Sequence, residues 1–253
     1  MFVRVNMSDN YRTLWERHWW WRSREFLLRG EIERTARQGT IKRILDVGCG
    51  DGLFFDFLGR FGAVAGIEAD ERRVNDPLRR DQIRVMAIDR EFQTEEPYDL
   101  IVMLDVLEHI EDDIGVLSAL RRSLTPGGRI LLTVPALPIL WSRHDEANGH
   151  FRRYTKPTLR AALIRAGFQI KKVQYFFFWT IAPMLLRRFV SPSGKGRAAV
   201  EDYAVAVPPV PINQTLKMIS NCEHVLGRIL PTPIGGSILA IAVNSADSAD
   251  IGS

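Results

Sequence analysis

The residues best placed to do chemistry lie in Asp46-Val47-Gly48-Cys49-Gly50-Asp51-Gly52, at the end of an apolar run that begins at Ile44, with Glu68 further along the chain. Three alternating glycines followed by Leu53-Phe54-Phe55 predict a strand, a tight turn and a helix, with backbone left open to a ligand at the turn. A nucleotide suits such a turn. A dinucleotide does not, because its fingerprint needs glycine three residues after Gly50, where helix and strand pack closely, and Leu53 stands there. Asp46 and Asp51 would also repel a pyrophosphate beside a helix N-terminus, and they suit a cationic ligand. Glu68 closes the apolar run Ala63 to Ile67, at about the ~20-residue distance where a ribose-binding acid is expected in a nucleotide-binding βαβ unit.

The pattern Asp46-x-Gly48-x-Gly50-x-Gly52 resembles the first motif of class I S-adenosylmethionine-dependent methyltransferases. The resemblance implies a ligand with a sulfonium, an ammonium and no phosphate. It assigns Asp46, Gly48, Cys49, Gly50, Asp51 and Gly52, then Glu68 with its neighbour Ala69, to that ligand, and it places Leu104 at the rim of the same site. It also puts Asp89, after the run Ile83 to Ile88, against the adenine amino group; a solvated turn aspartate is the alternative. Members of this class often lay an N-terminal helix over the cofactor, which would set Trp20 and Arg24 over its methionine end. Core packing with a snorkelling surface aromatic is the other reading of those two residues.

Asp105-Val106-Leu107-Glu108-His109-Ile110 resembles the fourth-strand motif of the quinone-type, ubiquinone-biosynthesis-like O-methyltransferases. It is also similar to the acid-x-x-Glu-His element with which some quinone and small-RNA O-methyltransferases hold a divalent metal, completed there by a later histidine. That resemblance implies Asp105, Glu108 and His109 as ligands of an ion that would lower the pKa of a bound hydroxyl. Asp105 stands where a glutamate is usual, which shortens the reach. Glu108 and His109 read equally as a helix-entry carboxylate and a packed histidine.

Further on, Trp141 to Thr155 gathers His144, His150, aromatic residues and several charges in one short loop, and loops of this kind on a rigid scaffold usually bind something. His144 and His150 are the candidate general bases for a hydroxyl acceptor, since imidazole titrates near neutral pH. Thr155 is the expected N-cap of the next helix, with Pro157 in its first turn and Gly167 at its end. The Arg152-Arg153-Tyr154-Thr155 element resembles a basic linker in bacterial methyltransferases of the quinone-methylating group.

These residues need elements to hold them. Strands are expected at Ala63 to Ile67, Ile83 to Ile88, Tyr98 to Leu104, Arg129 to Val134 after the turn Thr125-Pro126-Gly127-Gly128, from Phe168 to Phe178, and at Ser237 to Val243. Strands alternating with helical segments imply right-handed βαβ units and a doubly wound α/β fold. The resemblance implies seven strands, mostly parallel. Gly48 to Gly52, Glu68, Asp89 and Asp105 to His109 all lie just past a strand end, where such sheets bind ligands. The chain reads as one domain over 1–253, with an N-terminal helical lid in 1–40, a cofactor-binding core in 41–178, an insertion in 179–236 and a last strand in 237–244. One helix is expected from Tyr11 to Arg37. Its Trp19, Trp20 and Trp21 are consecutive, so at about 100° per residue they face three directions and cannot share one surface.

At 253 residues and 46% hydrophobic, the chain can bury a large core. Its two cysteines, Cys49 and Cys222, have no spaced partners, and Met1 to Asn10 lacks the apolar core of a signal peptide, so a reducing cytoplasm is expected. The run Tyr175 to Leu186 is apolar but shorter than the ~18 residues that span a bilayer. With Arg187, Arg188, Lys195 and Arg197 after it, it reads either as an anchor on anionic lipid at the inner membrane surface or as an internal cap over the site. A net charge of +4 is compatible with anionic membranes or nucleic acid and demands neither. DNA modification is not expected, because Asp105-Val106-Leu107 stands where enzymes of this fold that act on DNA carry Asn/Asp-Pro-Pro-Tyr/Phe. The expected activity is therefore methyl transfer to an oxygen of an apolar or lipid-linked small molecule. RNA ribose methylation and non-catalytic cofactor binding are the alternatives.

Overall fold

The computed structural model describes residues 7–190, 206–230 and 232–245. Seven strands form one sheet in the order β3-β2-β1-β4-β5-β7-β6. They are β1 Arg43–Val47, β2 Ala63–Glu68, β3 Ile83–Val85, β4 Tyr98–Leu104, β5 Leu124–Pro135, β6 Gln169–Phe176 and β7 Ser237–Val243. All pairings from β3 to β5 are parallel, and β7 runs antiparallel between β5 and β6. The strand order reverses between β1 and β4, so the crevice for a ligand opens beyond the carboxyl ends of those two strands.

The central strands are apolar throughout because both faces are covered. Successive side chains alternate sides: Leu45, Val47, Ile101 and Met103 join one core, while Ile44, Leu100 and Val102 join another. Helices α4 (Asp113–Arg122) and α6 (Lys156–Arg165) close the first core, and α2 (Trp19–Ala36) closes the second through Leu27, Leu28 and Ile32.

The expected single N-terminal helix is two, α1 (Met7–Arg17) and α2, broken at His18. His18 turns to an extended ψ of 133° and its Nδ1 accepts from the Trp20 amide at 3.2 Å. The break persists because a distant helix pairs the backbone groups it frees. The Asn213 side chain accepts from Trp19 N at 2.8 Å and donates to Arg17 O at 2.8 Å. Three further expectations change. β3 stops at Val85, short of Ile88. The turn Thr125 to Gly128 lies inside β5, looped out between the register pairs Tyr98 with Leu124 and Leu100 with Arg129. Last, the insertion in 179–236, for which no helix was expected, contains one opened by the prolines of Val207 to Pro211, α8 (Val210–Leu226), with Pro209 as N-cap and Pro211 in its first turn.

The shorter helices are α3 (Phe55–Leu58), α5 (Arg143–Ala147) and α7 (Ile181–Val190). Among the described residues no helix is long and apolar enough to cross a membrane. Met1 to Asn6, Lys195 and Arg197, with the side chains of Arg187 and Arg188, fall outside the description.

Candidate functional site

The glycine loop closes β1 against the end of β2. Gly48 N–H donates to Ile67 O at 2.7 Å, and at φ +73° a Cβ there would stand 2.2 Å from a Val106 methyl, so no other residue fits. Gly50, at φ +54°, faces open space, and its N–H donates to Glu68 Oε2 at 2.9 Å. Glu68 is buried, and its other oxygen accepts from Asp70 N at 3.0 Å. Asp46 is buried at the end of β1, where desolvation and then the charge of Glu68 push its carboxyl up to about 7, against the pull of Arg24. The Cys49 thiol is pushed up by burial, which leaves it inert as a nucleophile.

Arg24 reaches this point from α2. It is buried to 2% exposure, donates to Thr133 Oγ1 at 2.6 Å and pairs with Asp105 at 2.8 Å, and its Nε has no partner. Its guanidinium lies 5.2 Å from the Trp20 ring centre and 5.6 Å from that of Trp21. The three consecutive tryptophans, expected to face three directions, all pack against one core cluster, because their large rings reach round the helix to common neighbours: Trp19 and Trp20 both meet Phe177, Trp20 meets Trp21 edge-on at 4.8 Å, and Trp21 meets Trp15.

The donor set fits S-adenosylmethionine. An ammonium suits the carboxylate of Asp46, a carboxylate suits the unpartnered Nε of Arg24, ribose hydroxyls suit Glu68, and the open face of Gly50 admits a flat body against backbone. A phosphate would meet carboxylates.

Two of the expected cofactor contacts sit apart from this cluster. Asp51 turns to the 75–76 segment: Oδ1 accepts from Asn75 N at 2.8 Å and Asp76 N at 2.6 Å, and Oδ2 pairs with Arg12 of α1 at 3.0 Å. It fastens α1 to the glycine loop. Asp89 is exposed beyond β3 and accepts from Glu91 N at 2.9 Å within its own turn, and Ala69 is exposed beside Glu68. Leu104 is half-buried at the end of β4.

The other end of the site is built from side chains. Asp105 sits at φ +55°, a strained conformation for an aspartate, and its carboxylate is held by Arg24 and by Thr133 Oγ1 at 2.9 Å. It is therefore turned away from the group that Glu108 and His109 form with His150, whose ligand atoms all lie within 4.8 Å of one another. Glu108 is buried with Oε2 unpartnered, and desolvation, then the charge of Asp105, raise its pKa well above the usual carboxylate range. The His109 ring meets the His150 ring edge-on at 4.6 Å, and burial, then His150, lower its pKa.

His150 Nδ1 lies 2.9 Å from Asp145 Oδ1. Asp145 is fully buried and also accepts from Arg153 Nε at 2.8 Å and from Ser142 N at 2.8 Å. Burial alone would raise its pKa, but the bonds from His150 and Arg153 hold it well below the usual range. Sequence reasoning missed Asp145; the signal was Ser142-x-x-Asp145, a capping box that starts α5 and aims the carboxylate inward. His144, on the same short helix, is exposed and stands outside the cluster.

The Arg152-Arg153-Tyr154 element is not a free basic patch. Arg152 pairs with Asp113 at 3.0 Å and donates to Glu111 O, Arg153 donates to Asp145 and Ala136 O, and Tyr154 donates to Asp113 at 2.8 Å. With Phe151 N bonded to Glu108 O at 2.8 Å, the element pins His150 beside the Glu108 turn.

Residues 20–173 match a family model described as a methyltransferase domain. The ubiquinone biosynthesis O-methyltransferase of Pseudomonas savastanoi pv. phaseolicola is 27% identical over 186 residues, covering 61% of this chain and 79% of that protein. Among solved structures, the N-methyltransferase NodS of Bradyrhizobium japonicum aligns with a TM-score of 0.51 at 16% identity, over 88% of this chain and 97% of that one. Phosphoethanolamine N-methyltransferase 2 of Haemonchus contortus, in complex with S-adenosyl-L-methionine, aligns with a TM-score of 0.51 at 17% identity, over 82% of this chain and 49% of that one. At these identities the two structures share the fold.

Proposed function

This chain belongs to the methyltransferase-domain family, as a class I S-adenosylmethionine-dependent methyltransferase, and from that premise we propose that it methylates an oxygen of an apolar or lipid-linked small molecule. The observation that carries the reading is His150, fixed by Asp145 beside Glu108 and His109 at the carboxyl end of β4. With Nδ1 engaged by Asp145, Nε2 is the nitrogen left to take a proton.

Bound S-adenosylmethionine supplies a methyl group on a sulfonium that is already a good leaving group. The chain's own work is therefore to align, to desolvate and to move one proton. Asp46, Glu68 and Arg24 hold the donor. Trp20 and Trp21, packed against Arg24, exclude water from that side. His150 Nε2 accepts the hydroxyl proton of the acceptor as its oxygen forms the new bond to carbon, and Asp145 keeps the ring in place and compensates the charge it gains. The O-methyltransferase name of the Pseudomonas relative supports the choice of oxygen.

A second reading has its own observation. Glu108, His109 and His150 would hold a divalent ion through a carboxylate and two imidazoles, and the ion would acidify the acceptor hydroxyl directly. Asp105, occupied by Arg24 and Thr133, would not complete the set.

Incubation with methyl-labelled S-adenosylmethionine and separate lipid, small-metabolite and RNA fractions tests both. Label in the lipid or small-metabolite fraction supports the proposal, whereas label confined to RNA, or no turnover, overturns it. Activity that survives excess chelator leaves His150 as the base, and activity lost to chelator and restored by magnesium or manganese assigns the ion.

A further inference from the structure

α8 is an amphipathic helix mounted inside out. Its buried residues are Asn213, Ser220 and His224, all polar, on one face at helical spacing. Asn213 stitches the break between α1 and α2, and Ser220 Oγ accepts from Trp179 Nε1 at 3.1 Å. One turn after Ser220, Glu223 turns its carboxylate inward to accept from the amides of Phe178 and Trp179. The opposite face carries Ile212, Met218, Val225 and Leu226 in the open, and the turn that follows presents Ile229 at 80% exposure and Leu230 at 67%. A surface helix of a globular protein orients the other way round. Contiguous exposed apolar side chains of this size mark an interaction surface.

We propose that the outer face of α8, with its Ile229-Leu230 tip, is a docking surface for anionic lipid. Charge selects that occupant. From Tyr203 to Ala246 the sequence has one acid, Glu223, and its carboxylate is the one turned inward, while the cations of α8 and its tip are Lys217 and Arg228, the latter exposed with its guanidinium 6.0 Å from the Phe26 ring at the edge of α2. An apolar face with cations on the same element and no outward acid matches the boundary between acyl chains and anionic headgroups. The chain's own segment 191–205 is a poor cover, since Val200, Tyr203 and Val205 are its only large apolar residues. The +4 net charge disfavours a second copy of the chain. Lipid docking does not depend on which acceptor is methylated. It would set the α1–α2 break and the Trp19 to Trp21 cluster, to which α8 is tied, at the membrane surface.

The test is co-sedimentation of the full chain with vesicles of phosphatidylglycerol and phosphatidylcholine, against vesicles of phosphatidylcholine alone, without S-adenosylmethionine. Binding is expected to the anionic vesicles and to fall as salt rises from low to physiological strength. The double variant Ile229→Ser, Leu230→Ser changes exposed side chains only, and it should lower partitioning about tenfold or more with an unchanged melting temperature. A wild type that fails to bind anionic vesicles at low salt overturns the proposal, as does a double variant that binds like wild type. Light scattering that shows a dimer dispersed by the same two substitutions also overturns it and assigns the face to a second copy. Because no arm measures methyl transfer, failure here leaves the proposed chemistry standing.

Discussion

The two ends of the crevice are made in different ways. At the proposed donor end, backbone does the shaping: Gly48 admits Val106, Gly50 opens the loop, Asp46 sits one residue short of the end of β1, and Glu68 ends the adjacent parallel strand β2. At the proposed acceptor end, side chains from the Glu108 turn, α4, α5 and the residues before α6 meet through Asp145, Arg153 and Tyr154. A site fixed by strand ends follows from the sheet. A site fixed by a side-chain network follows from the loops that carry it, and loops vary.

If that contrast is real, substitutions at the two ends should separate binding from turnover. The largest effect is expected at His150. His150→Gln should lower kcat by roughly 100- to 10,000-fold, the usual contribution of a general base, with S-adenosylmethionine affinity nearly unchanged by calorimetry. His144→Gln, on the exposed side of α5, should leave kcat within about threefold of wild type. Equal losses from both variants would dissolve the distinction drawn between the two histidines.

Glu68→Ala should do the reverse. Hydrogen bonds to a charged partner contribute about 1.5 to 3 kcal/mol, so affinity for S-adenosylmethionine should weaken by roughly 10- to 150-fold while kcat at saturation holds. An unchanged dissociation constant would remove Glu68 from the ligand and leave it as a brace for Gly50 and Asp70.

The third effect is at Asp145, which acts only through its neighbour. Asp145→Asn should lower kcat about 10- to 100-fold, the range for groups that orient a functional histidine, and leave the KM for S-adenosylmethionine unchanged. Nitrogen-15 shifts of the His150 ring report the tautomer directly: Nδ1–H in wild type, mixed in the variant. Partial rescue by Asp145→Glu is expected. A loss of kcat with the tautomer intact would show that the carboxylate only holds α5 in place.

What could be read from the chain divides along the same line. The glycine loop, Glu68, β4 and β7 were legible because each is a local pattern, a glycine where φ must be positive or an apolar run of strand length. The break at His18 was not, since helix propensity continues through it and the compensating Asn213 lies on α8, far along the sequence. α8 itself was hidden by its prolines and by a polarity pattern that faces outward instead of inward. The directions of the Asp51 and Asp105 side chains were not legible for a common reason: position past a strand end locates a carboxylate, but Arg12 and Arg24, both from the N-terminal helices, pair with them and set where each one points.

The smallest effect expected is in pH dependence, and it belongs to the donor end. Burial and the charge of Glu68 raise the Asp46 carboxyl from its ordinary 3.8 to about 7. Between about pH 4 and pH 7 the folded protein without ligand keeps a proton that the unfolded chain has released, so this group's contribution to stability is greatest at the low end and is lost as pH rises through 7. The ammonium of S-adenosylmethionine favours the ionised carboxylate, so binding should run the opposite way and strengthen roughly five- to tenfold from pH 6 to pH 7.5. Asp46→Asn cannot ionise and should flatten both slopes, giving a ligand-free protein relatively more stable at pH 7.5 and a weaker affinity that no longer depends on pH. Calorimetric titrations at the two pH values, paired with thermal unfolding of both proteins, measure this. If the asparagine variant keeps the wild-type slope, the titrating group lies elsewhere and Asp46 does not face the ammonium.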